Sequence, residues 1–210
     1  MKQSKIFEAY ANAFWLEGKN PESIGAFCKA SKIKPEDFRE HFESFEEIQL
    51  AFPKFVLDQS IERLEADETF PEYSPREKAL AFFFTLIEEF SKYKSYFKIQ
   101  ASNRNPLDQL KQWREYNLAF VENTNRLQTD DRINWVKNKL PNQLTKEMNG
   151  LLLAWNYVYR VWLADTSADN AKTDAAIEKT IHLYFDFANT DQFEKIIDFG
   201  KFVVGTKVSW

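Results

Sequence analysis

A single cysteine, Cys28, stands in 210 residues, so no disulfide can form within the chain, and the expected compartment is the reducing cytoplasm. Histidine is almost as scarce. His41 and His182 lie far apart, with no HExxH, CxxC or glycine-rich phosphate loop around them, which leaves metal chemistry and phosphoryl transfer without ligands. Asp198-Phe199-Gly200 matches a kinase triplet, but the rest of the kinase motif set is missing. Only 5 glycines and 7 prolines occur, which excludes collagen-like and low-complexity chains and favours helix. No apolar run approaches the roughly 20 residues needed to span a bilayer. The strongest, 79–90, is interrupted by charge, and the opening MKQSKIFEAYANAF is too charged for a signal peptide. The expectation is a cytoplasmic protein that is not an enzyme and needs neither cofactor nor metal.

What is abundant is aromatic and helical. Phenylalanine occurs 20 times and apolar residues make up 44% of the chain, enough for a thick helical core or an apolar cavity. The net charge of −4 gives no bulk attraction to nucleic acid, so any such attraction has to be local. A first helix is predicted over 4–16, with Ile6, Phe7, Tyr10 and Phe14 on one stripe and Gly18 as a left-handed cap. Asn20 and Pro21 suggest the cap and first turn of the next helix, and Pro35 the first turn of the one after. A long segment follows over 44–67, which Pro53 should kink or divide.

Ser74-Pro75-Arg76-Glu77 is a capping box that starts a new, almost wholly apolar helix over 75–93. Later helices carry Trp113, Tyr116 and Phe120, then Leu151, Trp155, Tyr159 and Trp162, then Ile177, Ile181 and Tyr184. A short helix is expected over 130–140, and an amphipathic one over 190–204. Ser23 and Ser44 read as helix caps, and the acid pairs Glu46-Glu47 and Glu88-Glu89 as solvated faces.

The organising stretch is IGAFCKASKIKPEDFREHFESFEEI, residues 24–48. Ile24, Phe27 and Cys28 share one helix face, Phe38 and Phe42 another, and Ile33 plugs the turn between them, which makes a helix-turn-helix pattern. This stretch resembles the DNA-binding head of the TetR (tetracycline repressor) family. Ala30, Ile33, Phe38, His41 and Phe42 stand where the family has its Ala, Val, apolar, frequent His and near-invariant Phe. Lys32 replaces the family's turn Gly, Lys34 its Ser, Arg39 its Tyr, and Phe45 a Lys that commonly touches the DNA backbone.

The resemblance implies an all-α, TetR-like fold. Residues 1–46 would form the three-helix DNA-binding-like domain, and 47–210 a larger helical bundle for ligand binding and homodimerisation. It also implies DNA contact through Lys29, Lys32, Lys34, Arg39 and His41, and an apolar small molecule or lipid held by Trp113, Tyr116, Phe120, Trp155 and Tyr159. The reading segment tempers the first implication, because Lys34 and Arg39 face Glu36, Asp37, Glu40 and Glu43. A second resemblance is to the lipid-binding accessory protein of coenzyme Q biosynthesis, which shares the fold. It implies a non-DNA-binding protein that touches membrane through Phe193, Ile197, Phe199, Phe202 and Val203, with Lys195, Lys201 and Lys207 near the headgroups.

Overall fold

The computed structural model describes residues 3–103, 106–127 and 150–188, and among them there is no strand. The chain is all-α, as expected. The α-helices among the described residues are α1 (Gln3–Glu17), α2 (Ile24–Ser31), α3 (Pro35–Arg39), α4 (Phe45–Glu65), α5 (Pro75–Ser91), α6 (Lys94–Asn103), α7 (Pro106–Leu127), α8 (Gly150–Ala164) and α9 (Ala171–Ala188). Their contacts define two compact units, one of 1–67 with 85–120, the other of 68–84 with 121–210. The helix expected over 130–140 and the segment 190–204 lie outside the described residues.

In the first unit, α1 buries Ile6, Phe7, Tyr10 and Phe14 on the predicted stripe. It ends at Gly18, whose φ of +67° and N–H bond to the Phe14 carbonyl at 2.8 Å make the left-handed cap. Asn20 does not cap the next helix. That role falls to Ser23, whose Oγ accepts from the Ala26 N–H at 3.1 Å. Asn20 is engaged elsewhere: its Oδ1 accepts from the Tyr10 hydroxyl at 2.5 Å and from Gln49 Nε2 at 2.7 Å, while Gln49 Nε2 also donates to Tyr10 Oη at 2.6 Å.

Helix α4 begins with Ser44 as its cap, accepting from the Glu47 N–H at 3.2 Å, while Glu47 reaches back to the Glu43 N–H at 2.7 Å. Pro53 does not divide it. The ring sits inside one helix of 21 residues. A proline there has no N–H for the carbonyl four residues earlier, that of Gln49, and its ring crowds that carbonyl. The missing donor comes from α7, where the buried Gln112 gives its Nε2–H to the Gln49 carbonyl at 3.0 Å.

The acid pair Glu88-Glu89 is only half a solvated face. Neighbours on a helix point about 100° apart, so Glu88 is exposed while Glu89 is buried. Lys92 Nζ lies 2.5 Å and Arg63 Nη1 3.3 Å from the Glu89 carboxylate, and the same guanidinium reaches Glu88 at 2.6 Å. Beside them burial pushes the Tyr93 phenol up to about 12, with Glu8 and Glu89 adding to the shift.

The second unit starts at the capping box, which closes as the spacing predicts. Ser74 N–H donates to Glu77 Oε2 at 2.8 Å, and Glu77 N–H to Ser74 Oγ at 3.4 Å. Arg76 then ties this start of α5 to α9, donating to Asp186 at 2.6 Å and meeting His182 Nδ1 at 3.0 Å over the Phe185 ring. Helices α8 and α9 pack on each other, with Leu151, Trp155, Val158 and Trp162 of α8 and Ile177, Ile181 and Phe185 of α9 buried. Gly150 permits the approach, because a Cβ there would stand 2.6 Å from Tyr184 Cε2.

Asp165 clasps the α8–α9 connection. Its Oδ1 accepts from the Ser167 N–H and hydroxyl at 2.8 and 2.6 Å, and its Oδ2 from those of Thr173 at 2.9 and 2.7 Å. These bonds favour the carboxylate and hold its pKa well below the ordinary range. A depressed folded-state pKa adds stability above the unfolded value of about 4, and that stability is lost as pH falls through the folded value. Asp165→Asn should therefore melt several degrees below wild type at pH 7. In thermal melts followed by circular dichroism, the gap should narrow as the pH is lowered below about 4.

Candidate nucleic-acid interface and ligand-binding residues

The turn after α2 is a Schellman closure: Ile33 N–H reaches the Cys28 carbonyl at 2.9 Å and Lys32 N–H the Lys29 carbonyl at 3.4 Å. Ile33 is buried and plugs the turn. Lys32 supplies the left-handed residue with φ +55°. This is the position where the family resemblance has glycine, so a side chain is held where L-residues are disfavoured.

Helix α3 follows with Pro35 at its first position and Lys34 extended before it, giving no side-chain cap. It is short, ending at Arg39. Phe42 was expected on the same helical face as Phe38, but it lies beyond α3, in a turn where the Phe38 carbonyl accepts both the His41 and Phe42 N–H groups. Phe42 is still buried, because its ring is drawn onto Phe7 at 5.3 Å.

The rings of Phe27, Phe38 and Phe45 pack on one another at 5.6 to 6.1 Å, with Tyr10 against Phe45 at 5.6 Å. Phe45 thus turns inward, where the resemblance has a backbone-touching Lys. Cys28 is buried on the inner face of α2. Burial pushes its thiol up, with Arg39 lowering and Glu36 raising it by smaller amounts.

Lys29, Lys32, Lys34 and Arg39 are all exposed on this head, and His41 is half-buried. Glu36, Glu40 and Glu43 are exposed among them and Asp37 is half-buried. Lys54, a further cation of this region, is paired with Asp58 at 2.6 Å. The head offers a small cationic set interleaved with carboxylates.

The aromatic residues expected to hold a ligand fall into two groups. In the first unit Trp113 meets Tyr116 at 4.9 Å and Tyr116 meets Phe120 at 5.8 Å, with Tyr116 and Phe120 fully buried and Phe90 stacked on Trp113 at 6.1 Å. In the second unit Trp155 meets Tyr159 at 5.8 Å and Tyr159 meets Trp162 at 5.5 Å, and burial raises the Tyr159 phenol. Phe193, Ile197, Phe199, Phe202 and Val203 lie outside the described residues. His182 is exposed beside the buried Ile181. Among the described residues no cluster of His, Cys, Asp and Glu could hold a metal ion, and no helix is long and apolar enough to cross a membrane.

Two features escaped the sequence reading. One is the Tyr10–Asn20–Gln49 cluster, whose members are far apart in sequence. The other is a set of exposed apolar side chains, Leu153 and Tyr157 on α8 and Leu183 on α9. The signal for the second was present: Leu153 and Tyr157 lie one turn apart on the side of α8 opposite its core stripe.

A capped helix-turn-helix ahead of further helices places the chain in the helix-turn-helix class of folds. Residues 78–203, more than half of the chain, match the family described as tetracyclin repressor-like, C-terminal domain, and the chain belongs to that family. It is a TetR-like regulator. The match extends over Phe193 to Val203. No curated protein and no solved structure matches the chain.

Relief of the left-handed lysine is directly measurable. Lys32→Gly removes a Cβ from a φ of +55°, and urea titration should show it more stable than wild type by about 0.5–1 kcal/mol.

Proposed function

We propose that this protein is a transcriptional regulator that binds duplex DNA as a homodimer and responds to an apolar small molecule. In this reading residues 1–46 are the DNA-binding part and 47–210 the ligand-binding and dimerisation part. It works by shifting populations between states and catalyses no reaction. The observation that carries it is the helix-turn-helix head with Lys29, Lys32, Lys34 and Arg39 all exposed, in a chain whose residues 78–203 match the tetracyclin repressor-like family. Lys29, Lys32 and Lys34 serve phosphates, and Arg39 and His41 stand nearest to base edges. Trp113, Tyr116, Phe120, Trp155 and Tyr159 are the ligand-binding residues of this reading. Leu153, Tyr157 and Leu183 supply the apolar surface for the second copy; side chains of this size, more than half exposed, gain most from being covered by a like surface.

Binding of labelled duplexes from the host genome, read by fluorescence anisotropy against salt, tests the DNA half. Three phosphate-serving lysines per head set the log–log slope for a dimer at about −5, and Lys34→Ala should weaken binding across sequences and flatten that slope by about 2. The absence of any duplex bound at low salt would remove the reading. The dimer half is tested separately: Leu153→Glu combined with Leu183→Glu should convert a dimer to a folded monomer in light scattering, with the helical circular dichroism signal kept.

A further inference from the structure

Pro53 and Gln112 have a relation that neither residue explains alone. An α-helical carbonyl accepts from the N–H four residues on, and for Gln49 that residue is Pro53, which has none. The opening this leaves in α4 is closed by a side chain from α7, Gln112, at 3.0 Å. Gln112, Gln49 and Pro53 are all buried, so the amide that closes the opening is shielded from bulk water. The same Gln49 whose main chain is bridged to α7 carries, on its side chain, the bonds to Tyr10 of α1 and to Asn20 of the α1–α2 connection. All of these residues lie within the first compact unit.

We infer that Pro53 is a hinge in α4 and Gln112 its latch: the Gln112 amide holds α4 closed at Gln49, and its withdrawal frees α4 to flex and loosens Tyr10 and Asn20 with it. Gln112 is a positioning residue in this scheme, acting on the head through Gln49. Trp113, one of the ligand-binding residues of the proposed function, is its neighbour in α7, so a displacement of α7 at Trp113 moves the latch. That regulatory sense rests on the regulator reading; the hinge and latch do not.

Hydrogen exchange on the free, full-length protein reads the latch without operator or ligand, so its outcome is independent of whether any duplex binds. Gln112→Leu should raise exchange about tenfold in peptides covering 5–22 and 45–57, and leave peptides within 150–188 unchanged. Pro53→Ala restores the missing N–H and should slow exchange in 45–57 at least threefold. In the Pro53→Ala background, Gln112→Leu should then add less than twofold. Unchanged rates in Gln112→Leu, a rise spread evenly over all peptides, or an equal rise in both backgrounds would overturn the latch. If Gln112→Leu does not fold, Gln112→Asn, one methylene too short, is held to the same three comparisons, and failure of Pro53→Ala alone to protect α4 overturns the hinge.

Discussion

Phe52 is the residue on which the first unit depends. Fully buried on α4, its ring meets Phe7 of α1, Phe55 of α4, Tyr93 before α6, and Tyr96 and Phe97 of α6, at centroid distances from 4.6 to 6.1 Å. Aromatic pairs add about 0.5–1.5 kcal/mol each beyond the area they bury, and here many share one centre. Tyr10 and Phe14 join the same set through Tyr96, and Tyr10 passes it on to Phe45 and Phe27 of the head. The excess of phenylalanine in the composition therefore has a structural account. A helix-turn-helix head too small to bury much aliphatic area is anchored by a run of rings continuous with those of α4 and α6.

The parts that were legible in the sequence are those governed by neighbours along the chain. The stripe of α1, the Gly18 cap, the Ser44 cap, the Ser74–Glu77 capping box and the proline start of α3 all depend on spacings of three or four residues. The misreadings share one cause, a partner distant in sequence. Asn20 has the composition of a helix cap, but Tyr10 and Gln49 take its oxygen. Glu89 has the composition of a solvated acid, but Arg63 of α4 reaches it. Pro53 has the composition of a helix breaker, but Gln112 repairs the ladder it opens. Of the candidate site, the cations of the head were legible because charged side chains in a turn and off the apolar faces of its flanking helices stay in water. For the aromatic residues, helical spacing marks Tyr116, Phe120 and Trp155 as buried, and a side chain packed in a core has the same spacing as one facing a ligand.

The acids on the reading segment have local structural roles of their own. Glu36 and Asp37 occupy the first turn of α3, where negative charge complements the positive end of the helix dipole. Glu47 closes the start of α4 through the Glu43 N–H. Some of the carboxylates that dilute the head's positive charge thus help to hold a short helix and a tight turn in place. Stability of the head and attraction to a polyanion pull its sequence in opposite directions, and Lys32, where the resembled family has glycine, is the converse case: positive charge carried at a φ of +55° that disfavours a side chain.

The one thiol of the molecule acquires a use from its position. Cys28 is 1% exposed, on the inner face of the helix that leads into the turn, and burial raises its pKa and so disfavours the reactive thiolate. A reagent reaches it only in the instants when α2 lifts from the rings below. The chain therefore carries, without any engineered label, a chemical clock for the breathing of its own head, and the clock has a single hand because there is no second cysteine to confuse it.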